Sequence, residues 1–257
     1  MRAPLISIAL LLAASASSGQ SRPAPSARDA GAPVSTRTAT PIPPVAPPTQ
    51  PAAVCALGAP GTPVTAAQVA LGVQAFYDRT NDYEADFLQV SSNRLAGQNE
   101  ERRGHMRFRR PGRMRWDYAA PAGDIIVSNG TTLWAYESAA NQAIQSSLTQ
   151  SQMPSALSFL MGTGRLTNDF TFRLLDSARY QYPTGLVLEA TPVQPNPSFV
   201  RLLFYVDRAS CQVSRTVVFD AQGNSNRFTF TSPRVNTGIA DPVFAWSPPR
   251  GAHIVRP

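Results

Sequence analysis

From Arg107 to Tyr136 the chain reads RFRRPGRMRWDYAAPAGDIIVSNGTTLWAY, and apolar and polar positions alternate through it. Side chains on a strand point to opposite faces with a period of two. Met114, Trp116 and Tyr118 therefore share one face of a strand, and Arg113, Arg115 and Asp117 share the other. Met106 and Phe108 line one face of the preceding strand, opposite His105, Arg107 and Arg109. The turn between the two strands is Arg110-Pro111-Gly112-Arg113. Asn129-Gly130 predicts a hairpin, because a type I′ turn needs positive φ at both central residues. Trp134 and Tyr136 repeat the aromatic alternation beyond that turn. So many large apolar residues on one face of successive strands cover either a core or a ligand cavity.

The same patterning extends in both directions. Thr65-Ala66-Ala67-Gln68 matches a capping box, and Val69, Val73, Phe76 and Tyr77 follow at helical spacing. Tyr83, Ala85 and Phe87 alternate with polar residues and start a strand. The period changes between Met153 and Met161, where a proline near the start predicts a short helix that Gly162 and Gly164 stop. Leu157, Phe159, Leu160 and Met161 leave this helix little polar surface, so it is buried or covers something apolar. Strand alternation then resumes at Phe170, Phe172 and Leu174. It continues through Leu186–Thr191, Phe199–Val206, Gln212–Asp220 and Arg227–Thr231, with Phe244 and Trp246 ending the series. About ten or eleven strands joined by short turns predict a mainly β fold, an antiparallel meander curled into a barrel or half-barrel.

Composition divides the chain into three parts. Residues 1–20 carry Arg2, an apolar run from Leu5 to Ala14 and an Ala14-Ser15-Ala16 site, the pattern of a cleaved secretory signal. That run is shorter than the roughly 20 apolar residues needed to span a bilayer. No cysteine follows it in a lipidation position. Residues 21–63 hold 11 of the 24 prolines and few large apolar residues, so they are expected to form a disordered arm. Residues 64–257 remain as one β-rich domain, soluble after export. All 23 basic residues are arginine. Four of them and one of the 16 acidic residues precede the domain, leaving it 19 and 15, a net charge of +4. That charge suits an acidic partner or membrane headgroups, and it falls short of the clustered basic stripe of a nucleic-acid binder. Cys55 and Cys211 are the two cysteines; an even count in an exported chain is open to a disulfide or to two free thiols, and the bridge is the expectation.

Signals for catalysis are missing. Of the two histidines, His105 lies on the polar face of a strand and His253 near the end of the chain. The sequence lacks G-x-S-x-G, H-E-x-x-H and Cys-x-x-Cys motifs. Gly162-Thr163-Gly164 has no strand–loop–helix context for a phosphate loop, and the acidic residues are scattered. The reading is a protein that is not an enzyme and holds no metal or cofactor.

From about Val64 to Pro257 the sequence resembles the periplasmic outer-membrane lipoprotein carrier (LolA) family. The resemblance is carried by Phe87-Leu88-Gln89, Arg110–Tyr118, Val127–Tyr136, Asn141-Gln142, Pro154–Gly162, Asp220–Asn224 and Phe244–Pro249, in that order and spacing. It implies an unclosed antiparallel β-barrel with a lid of short α-helices over an apolar cavity that holds lipoprotein acyl chains. Phe87, Met106, Phe108, Met114, Trp116, Trp134, Leu157, Leu160 and Met161 are then the expected lining. The resemblance also implies that the arginine before the turn, here Arg110, latches the lid, and it puts Met114 where the family often has Phe. The partners it implies are lipoproteins, an inner-membrane lipoprotein-releasing ABC transporter, and an outer-membrane acceptor or the membrane itself, served by a monomeric periplasmic carrier. A lipid- or lipoprotein-sensing regulatory module on the same fold is the alternative, and a structural envelope protein with a filled core is a third class.

Overall fold

The computed structural model describes residues 55, 57, 58, 61–121, 123–148 and 165–256. The first half of the sheet comprises β1 (Asp82–Asn93), β2 (Gln98–Arg109), β3 (Arg113–Tyr118), β4 (Ile125–Asn129), β5 (Thr132–Glu137) and β6 (Gln142–Ser147). The second half comprises β7 (Phe170–Leu175), β8 (Leu186–Pro192), β9 (Arg201–Val206), β10 (Val213–Phe219) and β11 (Ser225–Val235), with β12 (His253–Val255) at the end. All twelve lie in one sheet, in the order β12-β6-β5-β4-β3-β2-β1-β11-β10-β9-β8-β7. Two antiparallel meanders, β1 to β6 and β7 to β11, thus meet at the β1–β11 pair. The outermost strands, β12 and β7, do not pair with each other, so the sheet is unclosed.

The strand count differs from the expectation at the C-terminus. β12 has three residues and runs parallel to β6, too short to show a period. Phe244 does not belong to a strand: Asp241–Phe244 is a 3₁₀ turn, with Pro242 in its first positions.

The sheet curls, as the right-handed twist of its strands favours. Side chains from β5 (Leu133) round to β7 (Phe170) belong to one apolar cluster on the concave face. Helix α1 (Ala66–Asp78) turns its buried stripe of Val69, Ala70, Val73, Gln74 and Tyr77 to that cluster. Its start follows the sequence pattern. The Gln68 N–H donates to Thr65 Oγ1 at 3.2 Å, and the Thr65 N–H donates to Gln68 Oε1 at 2.8 Å. These reciprocal bonds satisfy donors that a helix start otherwise leaves unpaired. A glycine, Gly72, sits inside α1, where it costs roughly 1 kcal/mol relative to alanine. Close packing explains it: a Cβ there would lie 3.1 Å from Cys55 Sγ and nearer still to Cys211 Sγ. Cys55 and Cys211 are joined as a disulfide with Cα atoms 5.4 Å apart. Nearby, the Arg208 guanidinium donates to the Leu57 carbonyl at 2.9 Å and to the Thr62 carbonyl at 3.1 Å. The segment leading into α1 is thereby held to the β9–β10 turn by a covalent and a polar contact.

Candidate functional site

Pairing partners on adjacent strands share a face, so the register identifies what points into the concavity. Phe87 of β1 is opposite Gly104 of β2, which is opposite Tyr118 of β3. Ala85, Met106 and Trp116 form the next row, and Tyr83, Phe108 and Met114 the one after. On the other side of β1, Phe87 and Gln89 are opposite Phe230 and Phe228 of β11. Five of the expected lining residues, Phe87, Met106, Phe108, Met114 and Trp116, therefore stand together on one face, and all five are buried.

Their rings interlock. Phe87 meets Trp116 at 4.9 Å and Tyr118 at 5.1 Å between centroids, both edge to face. Trp116 meets Phe228 at 5.4 Å and Phe230 at 6.3 Å. Tyr83 stacks on Phe108 at 5.2 Å. Gly104 makes this possible: a Cβ there would lie 2.7 Å from Phe87 Cζ, so the missing side chain is the space the Phe87 ring occupies. Glycine weakens a strand interior and often marks such a close approach. Around this cluster, Ile144, Phe172, Leu174, Val218 and Phe230 pack against the same core while remaining partly exposed. Phe228 and Phe230 were legible as an alternating pair in the sequence, but a strand far along the chain gave no sign that it neighbours β1.

Trp134 is a correction. It was expected beside Met114 and Trp116, but its partner is Val127, and the partner of Val127 is Arg115. It lies on the convex face, 5.7 Å from Trp246, which also meets Tyr136 at 5.6 Å. The loop between β4 and β5 pairs Ser128 with Leu133, joining an even position to an odd one. Leu133 and Ala135, not Trp134, thus continue the concave face, and both are buried. Leu157, Leu160 and Met161, with the apolar helix expected around them, lie outside the described residues.

Arg110 lies at the β2–β3 turn beside the end of α1. Its N–H donates to the Asn81 carbonyl at 2.8 Å, and Nη2 lies 3.7 Å from Asp78 Oδ1 at the end of α1. Arg107 and Arg109 instead serve the convex face. Arg107 pairs with Asp117 at 3.1 Å, and Arg109 pairs with Asp241 and donates to the Ile239 carbonyl, both at 2.8 Å. The lid carbonyls that Arg110 was expected to hold lie outside the described residues.

Polar groups enter the concave face at one end. Arg102 pairs with Asp124, their side chains 8% and 4% exposed, and the guanidinium carbon lies 4.0 Å over the Tyr118 ring. The Ser138 N–H donates to the other Asp124 oxygen at 2.9 Å. Such a pair offsets its desolvation only while both partners and their further bonds are in place. Burial pushes the Tyr118 hydroxyl up to about 12, with Arg102 opposing and Asp124 adding to the shift. The arrangement is chemically a wall: apolar, aromatic and adaptable at its methionines, with one buried ion pair at its end. Among the described residues, none of these side chains forms a nucleophile–base pair.

A family model described as outer membrane lipoprotein carrier protein LolA matches residues 78–247. The outer-membrane lipoprotein carrier protein of Chromobacterium violaceum is 27% identical over 193 residues, covering 75% of this chain and 89% of that one. Its counterpart in Coxiella burnetii is 28% identical over 178 residues, covering 68% and 80%. Among solved structures, this chain is similar to the crystal structure of a LolA superfamily protein from Nitrosomonas europaea at 13% identity, with a TM-score of 0.40, covering 72% of this chain and 99% of that one.

Proposed function

Because the chain belongs to the outer membrane lipoprotein carrier (LolA) family, we propose that it is a non-catalytic periplasmic carrier that holds lipoprotein acyl chains against its concave face. It would accept them from an inner-membrane ABC transporter and deliver them to an outer-membrane acceptor or to the membrane itself. The observation that carries this reading is the aromatic wall of Phe87, Trp116, Tyr118 and Phe228, continued by apolar residues that stay partly exposed.

The need for a carrier follows from transfer energetics. Each acyl CH₂ taken into water costs about 0.8 kcal/mol, so one long chain resists leaving a membrane by roughly 10 kcal/mol. A curled apolar sheet replaces the membrane for that chain. Delivery requires that the gain be incomplete, and a closed empty form that competes with cargo supplies this limit. β6, covered at one end of the sheet by β12, and β7, the outermost strand at the other end, are consecutive in the chain, and the apolar helix expected at residues 153–161 between them would act as the lid. Arg110, beside the end of α1, would hold the closed form through charge-assisted bonds worth roughly 1.5–3 kcal/mol. Arg110→Leu is then expected to accept lipoprotein and hand it on poorly, whereas Arg107→Leu keeps the parent rate.

The reading is tested with a hydrophobic fluorescent probe bound to the purified protein. Acylated lipoprotein should displace it and delipidated lipoprotein should not. Equal displacement by both forms would overturn the carrier.

A further inference from the structure

Gln74 is the one amide in the buried stripe of α1, among Val69, Ala70, Val73 and Tyr77. Both ends of it are engaged. The Leu166 N–H donates to Gln74 Oε1 at 2.8 Å in a buried contact, and Gln74 Nε2 donates to Asp78 Oδ1 at 2.9 Å. The same Asp78 oxygen lies 3.7 Å from Arg110 Nη2. Leu166 begins the short helix α2 (Leu166–Asp169), just before β7, and its side chain is buried.

The start of α2 has no cap of its own. Its N-cap residue, Arg165, makes no side-chain capping bond. The first N–H groups of a helix lack intrahelical partners, and here Gln74 supplies one from another helix. Gln74 and Asp78 are one turn apart on α1, the spacing at which side chains on a helix meet. The result is a set of polar contacts that starts buried at the first residue of α2, passes through Gln74 to the half-exposed Asp78, and ends at Arg110 of the β2–β3 turn, 3.7 Å away.

We propose that Gln74 is a positioning residue that couples the seating of α2 to the Arg110 contact, so that loosening one end loosens the other. Its consequence for cargo rests on the carrier reading. If α2 lifts from α1, the Leu166 N–H and Gln74 Oε1 lose each other where few alternative partners exist. Leaving buried polar groups unpaired is more costly than the net gain of the bond they made. A released Gln74 side chain holds Asp78 less firmly, and Asp78 in turn holds Arg110 less firmly. α2 is thus seated by a coupled set of side chains rather than by a cap of its own.

The test is amide hydrogen exchange at residues 165–170 of the full-length, lipid-free protein. Asp78→Ala should speed exchange there roughly fivefold, the effect of one hydrogen bond. Asp78→Asn keeps an acceptor for Gln74 and should stay near the parent. In a Gln74→Met background, where α2 already exchanges faster, Asp78→Ala should add nothing. If Gln74→Met does not fold, Gln74→Leu, an uncharged residue of similar size, replaces it, and adding Asp78→Ala should again change nothing. Unchanged α2 exchange in Asp78→Ala, or an equal rise with and without Gln74, would overturn the coupling. A probe titration separates the two readings. Coupling in a carrier gives Gln74→Met tighter acyl binding than the parent. A parent that binds no acyl probe would overturn the carrier while leaving the exchange result to decide the coupling.

Discussion

The two faces of β1, β2 and β3 are built from alternate residues of the same strands and have opposite chemistry. On the concave face, Phe87, Met106, Trp116 and Tyr118 are buried in a ring cluster. One residue away on the convex face stands a charged lattice. Glu84 lies 2.9 Å from Arg234 and 3.6 Å from Arg107, and Asp117 lies 2.9 Å from Arg115 and 3.1 Å from Arg107. His105 sits between Asp86 at 2.8 Å and Glu84 at 3.3 Å. Part-exposed ion pairs of this kind contribute about 0–1 kcal/mol each. Burying one large aromatic side chain is worth several times more. The contrast teaches that burial energy is concentrated on one face, the face on which the proposed acyl site would draw, while the other carries the charged, solvent-facing side chains.

The largest expected break in that contrast is a pair of adjacent substitutions. Trp116→Ala should cost about 3–5 kcal/mol of stability and most of the acyl affinity. Arg115→Ala, its neighbour on the other face, should stay within about 1 kcal/mol and bind the probe like the parent. Urea unfolding and probe titration of both variants check this. Reduction of the Cys55–Cys211 bridge comes next. It closes a separation of 156 residues, and disulfides typically contribute about 2–4 kcal/mol. Reduced protein should therefore unfold earlier in urea yet still bind the probe, because the bridge packs behind α1 at Gly72. Gly104→Ala should cost at least about 1–3 kcal/mol by overpacking, since its new methyl group would run into the Asp117 carbonyl of β3 and the Phe87 ring. It sharpens the comparison because Gly104 sits on the concave face, where space is already filled.

Much of this was legible in the sequence. Period-two alternation assigned Met106, Phe108, Met114, Trp116 and Phe87 to one face, and the capping box fixed the start of α1. What failed was parity across a turn. Trp134 looks like Trp116 in its strand, yet the β4–β5 pairing of Ser128 with Leu133 reverses odd and even, which sends it outward. Counting partners through the loop would have shown this; counting aromatics did not. Long-range pairing was less accessible. Nothing local in Phe228-Thr229-Phe230 says that β11 lies beside β1, since 137 residues separate Gln89 from the Asn226 it bonds. The polar path through Gln74 was invisible for the same reason, its two partners coming from α1 itself and from a helix 92 residues on.

A further expected effect is on alkaline stability. Burial raises the hydroxyls of Tyr83 and Tyr118 to about 12. An unfolded tyrosine ionises near pH 10, so between these values the unfolded chain binds fewer protons than the folded one. The stabilisation from these groups is complete below pH 10 and is lost as pH rises through about 12. Tyrosinate absorbance should show both groups titrating late in the native protein and near pH 10 in denaturant. Tyr118→Phe should remove part of the alkaline loss.

The most direct measurement of the central claim uses the three tryptophans, which the two faces divide. Trp116 lies in the concave cluster, whereas Trp134 and Trp246 pack together on the convex face. Fluorescence of variants retaining either Trp116 alone or the convex pair alone would be followed as a lipopeptide with brominated acyl chains is added. Bromine quenches only at close range. Strong quenching of Trp116 and little quenching of Trp134 and Trp246 are expected. Equal quenching of both sets, or quenching confined to the convex pair, would contradict an acyl site on the concave face.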